Sequence, residues 1–174
     1  MKKIITLLFL VSFGFTQAQQ AFKGKGDVKV NVGANLQNGG SGIQGSVDFG
    51  LGENFSVGFV SNYLLSVDTY IPYHQVAGQT YRKPDFGERF DAKARVNANL
   101  SSVIGVEQLD VYPGLNLGLH NFGGHVGGRY FFTDGFGVFT EVGFPIAKYG
   151  SNNGMYDNLN NQVTFSLGAS FNLD

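Results

Sequence analysis

Apolar and polar residues alternate along most of this chain from residue 27 onward. In residues 28–36 every second residue is apolar, and the residues between them are Lys29, Asn31, Gly33 and Asn35. Side chains of a β-strand point alternately to its two faces, so this pattern predicts a strand with one apolar and one polar face. Seven further segments are predicted to be strands: 43–51, 55–67, 90–100, 109–119, 125–132, 136–147 and about 162–173.

The lengths of the strands and of their connections suggest a membrane barrel. Strands of about nine to thirteen residues are long enough to cross a bilayer at a tilt. The turns at 52–54 and 133–135 are short, whereas the connections at 68–89 and 148–161 are long and polar. Outer-membrane barrels place short turns in the periplasm and long loops outside. Both termini then lie on the periplasmic side, and only the connection 101–108 is longer than such a turn should be.

Side-chain size indicates which face looks inward. The interior of an eight-stranded barrel is barely wide enough for its own side chains. One face is almost uniformly Val, Leu, Ile and Phe, whereas the other mixes long residues such as Lys93 and Arg95 with small ones such as Gly33, Ser46 and Gly58. We therefore predict an all-β fold for residues 27–174, an eight-stranded antiparallel up-and-down transmembrane β-barrel with a polar interior. A soluble lipocalin-like ligand-binding barrel, which would face the other way, remains an alternative.

The N-terminus has the features of a secretory signal. Two lysines precede an apolar run at 4–15 and the small-residue sequence Thr16-Gln17-Ala18. The run is too short to span a bilayer, so residues 1–18 are predicted to be a signal peptide, and residues 19–26 a short lead before the barrel. The predicted location is the cell outer membrane, with its lipid as partner.

Composition excludes several classes of protein. A net charge of −1 and 43% hydrophobic residues fit neither a disordered chain nor a nucleic-acid binder. The chain has no Cys, which excludes disulfides, thiolate metal sites and cysteine nucleophiles. Its 26 Gly and 14% aromatic share agree with many strands and turns.

The polar face carries the candidate chemistry. A hairpin that pairs Thr133 with Gly137 also pairs Phe131 with Phe139 and places Arg129 opposite Glu141, all facing inward. The inward charged residues are predicted to form a lumen charge network: Asp48, Asp91, Lys93, Arg95, Asp110, Arg129 and Glu141. This network is either a plug of salt bridges or a proton or ion path, and the narrow lumen favours the plug.

Three stretches carry a resemblance to a known group of proteins. They are Pro-Gly-Leu-Asn-Leu-Gly-Leu at 113–119, Gly-Arg-Tyr-Phe-Phe-Thr-Asp-Gly at 128–135 and Phe-Thr-Glu-Val-Gly-Phe at 139–144. The chain resembles the small eight-stranded outer-membrane β-barrel proteins of Bacteroidota, of the broad OmpA/OmpX-like superfamily. The resemblance implies insertion by the barrel assembly machinery but no particular activity. Such barrels commonly end on an aromatic residue, whereas this chain ends on Asp174. Phe171 and Leu173 still continue the alternation of the last predicted strand on its apolar face.

Histidines offer one possible rim site. His74 falls in a long loop, and His120 and His125 flank the segment 121–124, so all three are predicted to lie at the extracellular rim. They could be zinc ligands, but solvated loop histidines are the simpler interpretation, and no metal or cofactor is predicted. No nucleophile motif accompanies them, so the chain is predicted not to be an enzyme.

Two functions follow. The leading hypothesis is a structural or surface-interaction protein that presents the loops at 68–89 and 148–161 to an unidentified extracellular partner. The alternative is a narrow pore or a transport barrel for a small ligand.

Overall fold

The chain forms a closed β-barrel of eight strands. The computed structural model describes residues 20–68, 83–149 and 156–173. The strands in chain order are β1 (Val28–Gln37), β2 (Gly40–Gly50), β3 (Phe55–Val67), β4 (Phe90–Ala98), β5 (Leu109–Gly118), β6 (Asn121–Phe131), β7 (Phe136–Lys148) and β8 (Thr164–Asn172). Each strand pairs antiparallel with its neighbours in sequence, and β8 closes the barrel on β1. The predicted eight-stranded antiparallel barrel is confirmed.

Among the described residues, two helices of four residues each lie in the connections between strands. Helix α1 (Phe86–Arg89) precedes β4, and helix α2 (Ser101–Ile104) lies between β4 and β5. Within the part of the chain that the structure describes, no helix is long and apolar enough to cross a membrane.

The two faces of the strands separate as the alternation predicts. Polar residues such as Asn31, Asp48 and Arg95 are buried inside the barrel, whereas Val32 and Phe59 are exposed on its outside. A lipocalin-like barrel would have the apolar face inside, so that alternative is wrong. Val60 and Leu64, which break the polar face of β3, do point inward and are buried.

Strands β1 and β8 meet where two glycines face each other. Gly33 pairs with Gly168, and a Cβ built on either would overlap the backbone of the opposite strand. Glycine is therefore required at both positions by the close approach of the two backbones.

The predicted register of the β6–β7 hairpin is wrong by two residues. Arg129 pairs with Phe139, and Glu141 pairs with Gly127. The Phe132 and Thr133 amides both donate to the Phe136 carbonyl, at 3.0 and 3.2 Å, so the turn closes at Phe132 and Phe136, one residue earlier on each strand than the predicted pairing of Thr133 with Gly137. A shift of two leaves every side chain on its predicted face.

Strand β6 also begins earlier than predicted. It starts at Asn121 instead of residue 125, since the segment read as a loop pairs with both neighbouring strands. Only two residues then separate β5 from β6.

Both mouths of the barrel are covered by chain segments outside the strands. The end that holds the four-residue β2–β3 and β6–β7 turns is called the end of the short turns, although the two-residue β1–β2 and β5–β6 connections lie at the opposite end. At the end of the short turns, Ala21 and Phe22 are buried, and the Ala21 N–H donates to the Glu107 carbonyl at 2.5 Å. At the opposite end, Tyr156 and Leu159 pack on Leu64. The predicted signal peptide at 1–18 lies outside the described residues.

Candidate functional site

The inside of the barrel is lined with polar and charged side chains from all eight strands. Because inward positions recur at every second residue, each strand contributes side chains at several depths. Four residues form what we call the central charge cluster: Asp48 of β2, Arg95 of β4, Arg129 of β6 and Glu141 of β7. All four are buried.

Arg95 joins three strands across the lumen. Its Nε and one terminal nitrogen donate to the two oxygens of Asp48 at 2.6 and 2.5 Å, in the bidentate geometry that suits guanidinium and carboxylate. The other terminal nitrogen donates to Glu141 at 2.9 Å. The planar fork of arginine makes this possible, since lysine has no comparable fixed set of donors.

Arg129 approaches the same carboxylate from β6. It donates to Asp48 and lies 3.6 Å from a carboxylate oxygen of Asp110. Its guanidinium is stacked on the Tyr112 ring, 4.0 Å from the centroid. Tyr112 is completely buried, and a Cβ built on Gly127, the cross-strand partner of Tyr112, would overlap its ring. Glycine at 127 therefore makes the space in which tyrosine and arginine stack.

His125 lies beside this cluster. Its Nε2 is 2.8 Å from the Asn97 side-chain oxygen, and its Nδ1 is 3.3 Å from the Asn116 side-chain nitrogen. The tautomer with its hydrogen on Nε2 satisfies both contacts, because it donates to Asn97 and accepts from Asn116. Asn97 in turn donates to Asp48 at 3.1 Å, so His125 is linked to the cluster through one carboxamide.

Hydrogen-bonded polar residues continue toward both mouths. On the side of the short turns, Asn99 donates to Asp110 at 2.8 Å and accepts from Ser56 at 2.9 Å. On the loop side, Ser166 donates to Gln44 at 2.6 Å and accepts from Asn35 at 3.0 Å. The interior is thus bonded from strand to strand over much of its length.

Comparison with known proteins gives a family but no activity. The model of a family of unknown function, DUF6646, matches residues 12–173. The chain belongs to DUF6646. No curated protein matches it. A solved structure reported as "De novo design of transmembrane beta-barrels" is similar to the DUF6646 chain at 10% sequence identity, with a TM-score of 0.45, and the similarity covers 87% of this chain and 98% of the other.

The lumen residues predicted from the sequence of this chain separate into two groups. Asp110 lies next to the central charge cluster, through Arg129. Asp91 and Lys93 instead pair with each other at 3.3 Å, and Lys93 also donates to Asn121 at 3.3 Å. The seven predicted lumen residues therefore form one cluster and one separate ion pair.

The predicted contact between Arg129 and Glu141 is not formed. Glu141 bonds to Arg95 and, at 3.5 Å, to Gln44, whereas Arg129 bonds to Asp48. The register shift of two residues in the hairpin explains the difference, since it places Phe139 opposite Arg129.

The predicted histidine rim site is also wrong in one residue. His120 does lie at the loop end, where its Nε2 is 3.1 Å from the Phe90 carbonyl, but His125 is buried in the lumen. The early start of β6 carries His125 into the barrel. His74 lies outside the described residues, and among the described ones no group of three His, Cys, Asp or Glu side chains is placed to hold a metal ion.

Sequence reasoning missed a second separate ion pair and the role of Tyr112. Lys29 and Asp27 pair at 2.5 Å near the mouth that holds the short turns, and both are buried. Lys29 lies on the polar face of β1, so the alternation could have predicted that it points into the lumen. Asp27 precedes β1, so the alternation gives no prediction for it. Tyr112 lies on the polar face of β5, yet nothing in the sequence indicates that two arginines approach its ring.

Proposed function

We propose that this chain is a β-barrel of the bacterial outer membrane whose interior is filled by its own side chains. In this proposal it acts as a structural or surface-interaction protein through its extracellular loops. The observation that carries the proposal is the apolar exterior of the closed barrel. Large apolar side chains are exposed on every strand, and Phe59 of β3 is 63% exposed. Monomeric soluble proteins rarely expose contiguous apolar surface on this scale, whereas lipid-facing strands require it.

Aromatic side chains at the two ends of this exterior support the same placement. At the loop end, Tyr63, Phe86 and Phe90 are in contact, with centroids 5.6 and 5.2 Å apart. At the end of the short turns, rings in contact include Phe132, Phe136 and Phe171, with separations of 6.3 and 5.7 Å. Membrane barrels carry such aromatic girdles where the hydrocarbon meets the headgroups.

The distance between the two ends suits a bilayer. Tyr63 and Phe55 lie on the same exterior face of β3, separated by roughly 26 Å at about 3.3 Å per residue. An apolar band of a transmembrane barrel is about 25 Å tall, and strand tilt shortens the span along the membrane normal to about 20 Å. A thin bilayer such as the outer membrane fits this height.

Orientation follows from the connections. The turn between β6 and β7 and both ends of the barrel's chain lie on one side, whereas the connections that include residues 68–89 and 148–161 lie on the other. We place the first side in the periplasm, after removal of residues 1–18, and the loops outside. Insertion by the barrel assembly machinery and kinship with the Bacteroidota barrels belong to this proposal, which includes no catalytic activity, cofactor or nucleic-acid partner.

Cysteine labelling tests the orientation, because the chain has no Cys. Lys83 is exposed at the loop end and Lys25 is exposed at the other end. In intact cells, K83C should react with a membrane-impermeant maleimide, and K25C should react only after the cells are broken. Labelling of K25C alone in intact cells would reverse the proposed orientation. Recovery of the protein in the soluble periplasmic fraction would end the membrane proposal.

Conductance tests whether the interior is filled. The Arg95–Asp48 and Arg95–Glu141 bonds cross the lumen from β4 to β2 and β7, which favours a closed barrel over a pore. Refolded protein in planar bilayers should give no steady conductance above the lipid background. A large porin in the same bilayers serves as the positive control. A steady single-channel current would replace our proposal with the narrow pore.

A further inference from the structure

The connection between β4 and β5 differs from the other turns at its end of the barrel. It runs over residues 99–108 and contains α2, whereas β2 to β3 and β6 to β7 are joined by four residues each. A turn in the periplasm needs no such length. The additional residues therefore require an explanation of their own.

This connection has one polar side turned to the barrel mouth. Asn99 and Ser101 are buried, and the Ser101 hydroxyl donates to the Phe22 carbonyl at 3.5 Å. The Ser102 hydroxyl donates to the Asn54 side chain at 2.6 Å, which ties the connection to the neighbouring turn. These contacts fix the position of the segment beside the mouth.

Three of the remaining side chains of the segment are apolar and exposed, whereas Leu100 is half-buried and Glu107 and Gln108 are polar. Val103 is 72% exposed, Ile104 40% and Val106 41%. We name residues 103–106 the apolar spur. In water, three exposed branched aliphatic side chains within four residues forgo the favourable free energy of burial.

The apolar spur is continuous with the exterior of the barrel. The Val106 carbonyl accepts from the Leu109 amide at 3.0 Å, so the spur leads directly into the first exterior residue of β5. On its other side, Asn54 is followed by Phe55, an exposed exterior residue of β3. The spur thus lies beside exterior residues of both β3 and β5.

We propose that the apolar spur inserts into the headgroup and acyl-chain boundary of the periplasmic leaflet, as an interfacial anchor for the barrel. This inference rests on the proposed membrane placement. Interfacial segments bind by burying an apolar face about 5–10 Å into that boundary while their polar side stays wet. A soluble protein partner is a poorer fit, because a stable interface needs about 800 Å² from each side and three side chains cannot supply it.

Tryptophan fluorescence can test this directly, because the chain has no Trp. Single variants V103W and L117W are refolded into phosphatidylcholine vesicles that carry bromine on the acyl chains, either near the glycerol backbone or near the bilayer centre. Leu117 is an exposed residue of the β5 exterior and reports on the barrel itself. V103W should emit at shorter wavelength than free tryptophan and should be quenched most strongly by the shallow bromines.

The two variants separate failure of the anchor from failure of the membrane placement. Quenching of L117W together with water-like, unquenched emission from V103W would overturn the anchor and leave the barrel in the membrane. Absence of quenching in both variants would overturn both proposals. Should V103W fail to refold, I104W is used in its place, with the same expected quenching and the same contrary result.

Discussion

At the scale of single residues, the Asp48 carboxylate accepts hydrogen bonds from Arg95 and Arg129, which β4 and β6 contribute. Two guanidinium groups near one carboxylate repel each other, and Glu141 and Asp110 supply the second anion for each. Buried ion pairs are stabilising only when geometry and additional hydrogen bonds offset their desolvation. Here Ser46 and Asn97 provide such bonds at 3.0 and 3.1 Å.

Substitutions of Arg95 and Glu141 should be strongly coupled in their effects on the free energy of unfolding. Arg95→Met should cost about 3–5 kcal/mol of unfolding free energy, because it leaves the Asp48 and Glu141 carboxylates short of a buried partner. Glu141→Gln should cost less when Arg95 is already replaced. A double-mutant cycle on urea unfolding in lipid vesicles should give a coupling above the roughly 0–1 kcal/mol of an exposed pair.

Arg129 with Glu141 is the matched control for that cycle. Both are charged and buried, but no hydrogen bond joins them. Their coupling should be clearly smaller than that of Arg95 with Glu141. Equal couplings for the two pairs would contradict the contacts described for Glu141.

Gly127 should tolerate no side chain. Gly127→Ala places a methyl group against the Tyr112 ring and should cost about 1–3 kcal/mol, the usual range for overpacking. Gly128→Ala is the control, since the nearest atom to its Cβ is 4.0 Å away. Thermal or urea unfolding of both variants checks this. If Gly127→Ala costs as much in a Tyr112→Leu background as in the wild-type protein, the steric account is incorrect.

At the scale of strands, the alternation in the sequence was sufficient for the fold and for the inward face of the seven predicted lumen charges. It could not give the register, because a shift of two residues keeps the same residues inside. Arg129 and Glu141 were therefore placed on the correct face with the wrong partners. Contacts across the lumen, such as that of Asp48 with Arg95, join strands that are not adjacent and depend on the whole barrel.

His125 shows a second limit of sequence reasoning. The segment 121–124 contains two adjacent glycines, which are typical of loops. In the barrel these residues pair with β5 and β7 instead. Pairing with the neighbouring strands determines the structure of this segment, and no feature of its own sequence distinguishes it from a loop.

Position along a strand should set the cost of a charge on the exterior. Leu115, within β5, and Leu119, just after it, are exposed on the same face. Leu115→Arg should cost about 2–4 kcal/mol near the bilayer midplane, and Leu119→Arg about 0–1 kcal/mol near the interface. Urea titration of protein refolded in vesicles measures both. Equal costs would mean that the β5 exterior does not run through the hydrocarbon as proposed.

At the scale of the whole molecule, the lead before β1 and the segment at 156–161 cover opposite mouths. Phe22→Ala should lower the unfolding free energy by about 3 kcal/mol, because it removes a buried aromatic side chain. The variant should still show no conductance in planar bilayers, since the central charge cluster remains. Lys25→Ala, at an exposed position of the same lead, should change neither property. Steady conductance of Phe22→Ala would show that the lead, and not the cluster, closes the barrel.

The glycine pair at positions 33 and 168 bears on how such a barrel can be assembled. Every other strand pair joins neighbours in sequence, whereas the pairing of β1 with β8 joins the first and last strands and closes the sheet. When these two strands come together, each backbone must approach the other where Gly33 faces Gly168. A Cβ at either position would overlap the backbone of the opposite strand, so no choice of rotamer could relieve the clash. The last seam of the barrel can thus form by backbone hydrogen bonding alone at this point, with no rotamer to arrange.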